Sequence, residues 1–328
     1  MTLLRSAFAL SLLAAACLTP SAASQAGDLK VVVTIKPIHS LVTAIMEGVG
    51  APALLVEGTA SPHTFALKPS GARAIQAADV FIRVGPAVEP FTERIVATLP
   101  PTVTLVTLAD TTGLTLLDRR TGATFEAHSH GDDHHGDDHH GGHHHDHDDH
   151  DDEAAEGAKD GHIWLDPGNA ARMAGKIAAV LSARDPAHVD AYAANAARLE
   201  TRLKSLDAEI AAQMAPLKGR PFIVFHDATQ YFEARFGLEA IGSVTVSPDV
   251  QPSAKRLSAL RAKIAGLAAA CVFAEPLFNE NLLHAVTEGL PAKSGTLDAE
   301  GLLLDPGGDL YFTLMRSMAA SLSGCLSP

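Results

Sequence analysis

Apolar and polar positions alternate with two different periods along this chain, and the switches between them mark its elements. Leu29 to Ile35 reads LKVVVTI, a β-branched run closed by Pro37, which suits a buried strand of a parallel sheet. Helical spacing follows from Ser40 to Glu47. Leu54 to Glu57 is a second short strand, and Gly58 to Pro62 reads as a turn. Ser70 to Ala78, SGARAIQAA, returns to the helical period, with Ser70 as its N-cap. Asp79 to Val84, DVFIRV, is a third strand, ended by Gly85-Pro86. This alternation predicts a parallel sheet with helices on both faces.

Asp166-Pro167 starts a helix that runs through Leu181, and Pro186 to Met214 is an Ala-rich amphipathic run long enough to span about 40 Å as one helix. The strand-helix pattern then restarts. Pro221 to Phe225 (PFIVF), Gly242 to Val246 and Ala270 to Ala274 read as strands. Helices are expected near Tyr231, from Ala254 to Ala265, and onward to Glu288. The predicted class is α/β, in two lobes joined by a long helix. Lobe boundaries fall at 27–185 and 216–328, with the linking helix over 186–215.

The first 26 residues change the picture of where the chain works. Arg5, the apolar run Ala7 to Leu18 and small residues up to Ala23 or Ala26 make a secretory signal peptide, too short to span a bilayer. Cys17 follows three alanines without the usual lipobox Leu, so export to the periplasm is preferred over lipidation. Two cysteines then remain, Cys271 and Cys325. In an oxidising compartment they are expected to form a disulfide, with two unpaired buried thiols as the alternative.

The formal charge of −13 is concentrated in one place. Between Glu126 and Asp160, 13 acidic residues stand against a single Lys, leaving about −1 for everything else. A nearly neutral body offers nothing to nucleic acid. The same stretch holds 11 of the 17 histidines, and no hydrophobic residue lies between His128 and His150. These are His128, His130, His134, His135, His139, His140, His143, His144, His145, His147 and His150. A segment of this composition cannot offset its ordering entropy by burial, so it is expected to be a mobile surface loop. Imidazole suits zinc, copper and nickel, which makes the tract an accessory site for several weakly bound ions.

Six histidines lie elsewhere. His63 follows the Ser61-Pro62 turn, His162 precedes Ile163-Trp164-Leu165, and His226 ends the strand PFIVF. Loops at strand ends are the usual ligand positions in open α/β sheets. His39 follows the first strand, which could bring it toward a ligand cleft, and a structural role is preferred for it; His188 and His284 are read as surface or packing residues.

Several segments together resemble a known family. KPIHSL (36–41), SPHTFALKPS (61–70), HIWLDPGNA (162–170), VFHDATQYFEARFGL (224–238), GSVTVSPDVQPSAKRL (242–257), CVFAEPLF (271–278) and TLDAEG (296–301) look like the zinc solute-binding proteins of bacterial ABC importers, the ZnuA type within the cluster A-I family. The resemblance covers the mature chain in order. It implies Zn2+ held in the cleft between two lobes, by His63 and His162 from the first and His226 from the second. It also implies that Cys271 and Cys325 are the family's disulfide pair, and it places Asp298 where manganese-binding relatives have a carboxylate ligand. Pro62 stands where some members have Glu, which leaves the fourth ligand open between Asp298 and water. Three imidazoles favour zinc over manganese.

The expected role is high-affinity zinc capture in the periplasm by a monomer, which delivers zinc to a membrane permease and its ATPase. Rivals are a manganese-type or adhesin-like protein on the same fold, and a secreted zinc hydrolase. The hydrolase reading lacks any H-E-x-x-H motif to supply a base beside a metal-bound water.

Overall fold

The computed structural model describes residues 29–120, 124, 158–245, 250–266, 271–277 and 280–327. The expected signal peptide, Cys17 and the histidine tract lie outside the described residues. No helix among the described residues is long and apolar enough to cross a membrane.

In chain order the first lobe contains β1 (Val31–Val33), α1 (Lys36–Ile45), β2 (Ala53–Leu54), α2 (Pro69–Gln76), β3 (Val80–Arg83), α3 (Glu93–Val96) and β4 (Thr104–Thr107). Two helices follow, α4 (Pro167–Arg184) and α5 (Val189–Met214). The second lobe contains β5 (Phe222–His226), α6 (Gln230–Phe236), β6 (Ala240–Thr245), α7 (Ala254–Ala265), β7 (Cys271–Ala274), α8 (Glu280–Thr287), β8 (Lys293–Thr296) and α9 (Leu310–Leu326). The strands form two parallel four-stranded sheets, ordered β2-β1-β3-β4 and β6-β5-β7-β8. This is the two-lobed α/β class expected from the pattern.

Strand alternation explains why these short apolar runs are hydrophobic throughout. Val31 and Val33 face one core while Val32 faces another with Phe81 and Ile75. Phe222 and Val224 likewise face inward, while Ile223 and Phe225 pack with Val244 and Leu260 on the outer side. Both faces of each sheet are therefore buried, as parallel sheets require. The inward faces of the two sheets share one continuous core, filled by Met173 and Ile177 of α4, Leu203 and Leu206 of α5, and Tyr311 and Met315 of α9. The long helix is thus packed into the body, with α9 crossing back onto α1 of the first lobe, where the Tyr311 amide donates to Ser40 Oγ at 3.0 Å.

Some element boundaries shift for local reasons. Helix α1 begins at Lys36, so Pro37 sits in its first turn, where its missing N–H costs nothing. The same device starts α2 at Pro69 with Lys68 as N-cap, so Ser70 lies inside the helix and makes no cap hydrogen bond. Asp166 does cap α4, accepting from the Gly168 amide at 2.7 Å. Strands β4 and β8, at sheet edges, and helix α9 are additions to the sequence reading. The β8 run, KSGT, has no large apolar residue to announce it.

Candidate metal centre

Three imidazoles converge at the C-terminal ends of the strands, between the two sheets. His226 is the last residue of β5, where its backbone pairs with Thr245 of β6. His63 lies beyond β2 in a turn closed by Thr64 N–H to Ser61 O at 3.3 Å, and the next residue packs Phe65 against Phe91 with centroids 4.9 Å apart. His162 precedes a 3-10 turn over Ile163–Leu165. Gly161 lets that segment press against the first lobe, because a Cβ there would lie 2.5 Å from Val88 Cγ2.

His162 Nε2 stands 3.2 Å from His63 Nε2 and 3.4 Å from His226 Nε2. Nitrogens bound at 2.0–2.1 Å around a tetrahedral zinc lie about 3.3 Å apart, so this donor set fits that ion. The same-named nitrogen faces inward on all three rings because outer carboxylates hold two of them from behind. Asp160 Oδ1 takes the Nδ1 hydrogen of His162 at 2.7 Å and its backbone N–H at 2.9 Å. Glu275, just past β7, holds Nδ1 of His226. Such braces fix tautomer and ring direction.

The electrostatics differ between rings. Burial, and then the neighbouring imidazoles, hold His63 well below its usual range, leaving it neutral at neutral pH. Burial also disfavours charge on His226, but Glu275 more than offsets this and holds the imidazole above its usual range. An arriving cation therefore competes with a proton at His226. Glu300 stands with Oε1 3.5 Å from His63 Nε2, and burial pushes its carboxyl up to about 8.

Asp298 is placed differently from the expectation. Its carboxylate accepts the Leu302 and Leu303 amides at 2.9 and 3.2 Å, as the cap of a turn, and is not brought into the histidine cluster. Glu300, two residues on, stands beside His63 at the edge of the three-imidazole group rather than within it. Its loop is drawn to the first lobe by Lys36, whose Nζ donates to the carbonyls of Gly301, Leu302 and Leu304 at 2.8–3.2 Å, and by the Trp164 indole, which donates to Ala299 O at 2.9 Å.

Of the remaining expectations, His39 bonds Pro52 O at 3.0 Å and has a structural role. His188 pairs with Asp185 at 2.6 Å, and His284 is exposed beside Glu288. Cys271 and Cys325 are joined in a disulfide that pins α9 to β7, with Cα atoms 6.0 Å apart.

A family model described as zinc-uptake complex component A, periplasmic, matches residues 31–325. The chain belongs to the ZnuA family. A ZnuA relative from Brucella suis, described as a high-affinity zinc uptake system protein, is 49% identical over 305 residues, covering 90% of this chain and 91% of the relative. Another from Paracoccus denitrificans is 38% identical over 96% of this chain and 97% of its own. Among solved structures, a crystal structure of ZnuA superposes with a TM-score of 0.72 at 23% identity, covering 92% of this chain and all of that one. The laminin-binding protein Lmb of Streptococcus agalactiae, described as a bifunctional adhesin and metal transporter, shares the fold with a TM-score of 0.70 at 21% identity.

Proposed function

We propose that this chain captures zinc in the periplasm, after removal of residues 1–26, and delivers it to the membrane permease of an ATP-driven importer. The observation that carries the reading is the convergence of three Nε2 atoms at 3.2 and 3.4 Å from donors in two lobes. His63, His162 and His226 act as the ligands. Glu300 is the fourth donor in this reading, replacing Asp298, whose oxygens already serve backbone amides. Neutral nitrogens with one carboxylate suit zinc better than manganese.

Zinc is cargo here, and the chain acts as a carrier rather than an enzyme. A catalytic zinc keeps one position open for water, whereas the buried Glu300 carboxyl crowds that position. Glu275 and Asp160 keep two rings aimed, and binding expels protons from His226 and Glu300. Affinity accordingly falls as pH drops from about 8, first through the Glu300 carboxyl and then through the raised His226 imidazole. The tract over 128–150 serves as an accessory, weaker binder.

Zinc titration against a competing chelator, with and without residues 128–150, tests this. One tight site surviving the deletion is expected. Weak binding alone in both proteins would mean that the three framework histidines are structural and that the importer reading is wrong.

A further inference from the structure

Besides the α4–α5 helices, the two lobes are joined through a strap, described over residues 114–120 and at Thr124, that precedes the histidine tract in the chain. Its start is fixed to the first lobe: Thr115 N–H donates to Asn169 Oδ1 of α4 at 2.9 Å, and Asn169 Nδ2 returns a bond to Thr115 O at 2.9 Å. Its far end reaches the second lobe, where Thr124 pairs with Gly242 of the edge strand β6. Between these ends the strap meets the chain returning to His162. Arg119 N–H donates to Ala158 O at 2.8 Å, and Asp160 N–H donates to Leu117 O at 3.0 Å. The Tyr231 hydroxyl of α6 accepts from Leu117 N–H at 3.1 Å and donates to Asp160 O at 2.8 Å.

The strongest tie is Arg120. Its guanidinium donates to both oxygens of Asp227, with Nε at 3.1 and 3.0 Å, and to both oxygens of Glu233 at 2.8 and 3.0 Å. Both carboxylates are buried, with side chains 8% and 4% exposed. Two buried carboxylates side by side repel one another, and only a planar fork of five donors satisfies both at once. Glu233 is further held by Thr229 Oγ1 at 2.6 Å and the Ala240 amide at 2.8 Å, so the anchor is set in the second lobe. Asp227 is the residue after His226.

We propose that Arg120 is an interlobe latch and a positioning residue for the metal site, holding the His226–Asp227 corner of the second lobe against the strap that braces His162. One short ladder thereby supports a ligand from each lobe: Asp160 behind His162, and Asp227 beside His226. Opening the cleft to release zinc requires this fork to part. The latch governs the release rate more than the encounter rate, since Arg120 holds the Asp227 and Glu233 carboxylates while the three Nε2 atoms face one another.

The inference rests on the zinc reading, so its test carries a readout independent of metal. Zinc release into excess chelator and zinc uptake are measured by stopped flow for the full mature chain, alongside Arg120→Gln, Arg120→Lys and Tyr231→Phe. Interlobe distance in the metal-free proteins is measured by paired labels. Arg120→Gln is expected to raise the release rate by about 10- to 100-fold, the range for loss of an outer support, with uptake within about two-fold. Arg120→Lys, which keeps the charge but not the fork, falls between it and the wild type. Tyr231→Phe carries the test if the glutamine variant does not fold, with a smaller rise expected. A wider or broader interlobe distance should accompany each rise. Unchanged release with unchanged distance overturns the latch, as does a loss confined to uptake. If the wild type holds no tight zinc, the zinc reading fails, and the metal-free distances alone decide the latch.

Discussion

The two lobes bring the three imidazoles proposed as ligands to the same point by different means. In the second lobe His226 ends a central strand, so pairing with Thr245 of β6 sets its backbone, and Glu275 just past neighbouring β7 holds its ring. In the first lobe both ligands lie outside the strands. His162 is held by Asp160 and the tight approach at Gly161, and His63 by a turn and one aromatic pair. No hydrogen bond to Nδ1 of His63 is found among the described residues. A ligand on a strand end inherits the rigidity of the sheet, while a ligand on a loop needs its own supports. Of the three proposed ligands, His63 therefore has the fewest supports of its own.

Removing the proposed ligands one at a time separates the contributions of the two lobes. His226→Ala should weaken the tight site by more than the roughly 10- to 100-fold typical of losing an outer support. His63→Ala, with a water free to take its place, should cost less; equal losses in competition titrations would show that strand-end anchoring adds nothing. Glu275→Gln and Asp160→Asn should each reduce affinity by about 10- to 100-fold, because both free a ring that the fold now aims. If either variant binds zinc like the wild type, the ring in question is held by packing alone.

The lobes also differ in how their interiors are secured. Only the second carries a disulfide, closing 54 residues between Cys271 and Cys325. Replacing both cysteines by Ala should cost about 2–5 kcal/mol of stability in denaturant melts while leaving zinc affinity within a few-fold, because neither sulfur approaches the site. The first lobe instead buries Glu89, which accepts from Thr34 Oγ1 and from the Gly85 amide at 2.9 Å. Burial pushes its carboxyl up to about 7, above the ordinary 4.5.

That shift makes a stability contribution present below the unfolded value and lost as pH rises through the folded one. Wild type should thus lose about 2–3 kcal/mol relative to Glu89→Gln between pH 4.5 and 8, read as the difference between the two proteins' unfolding curves. A constant difference would place Glu89 in contact with water. Deleting 128–150 should have the smallest effect on the tight site, within about two-fold, since closing a shorter loop changes little.

Local chemistry made much of this molecule legible in advance. Short β-branched runs such as LKVVVTI suit strands buried on both faces of a parallel sheet, and the stretch over Pro186 to Met214 has the period and length of one long helix. His63, His162 and His226 stood out because histidines beside turns and strand ends are few in this chain. What escaped were the groups that act through space. Asp160 counts in sequence as one more charge of the acidic stretch, yet it is buried behind His162. Glu275 and Glu300 sit inside recognised segments without a local pattern that marks them, and Asp298 was the more conspicuous carboxylate until its oxygens were found on backbone amides.

Period, composition and residue type therefore carried the fold class and much of the element order, set the expectation of export and singled out the three imidazoles proposed as donors. The tertiary structure decided which carboxylates stand behind or beside those donors, how far apart the nitrogens lie, and that Arg120 joins the lobes. Asp160 behind His162 apart, these depend on residues 49 to 107 and more positions apart being brought together, and side-chain geometry at that separation is set by the packing of the shared core rather than by any local preference.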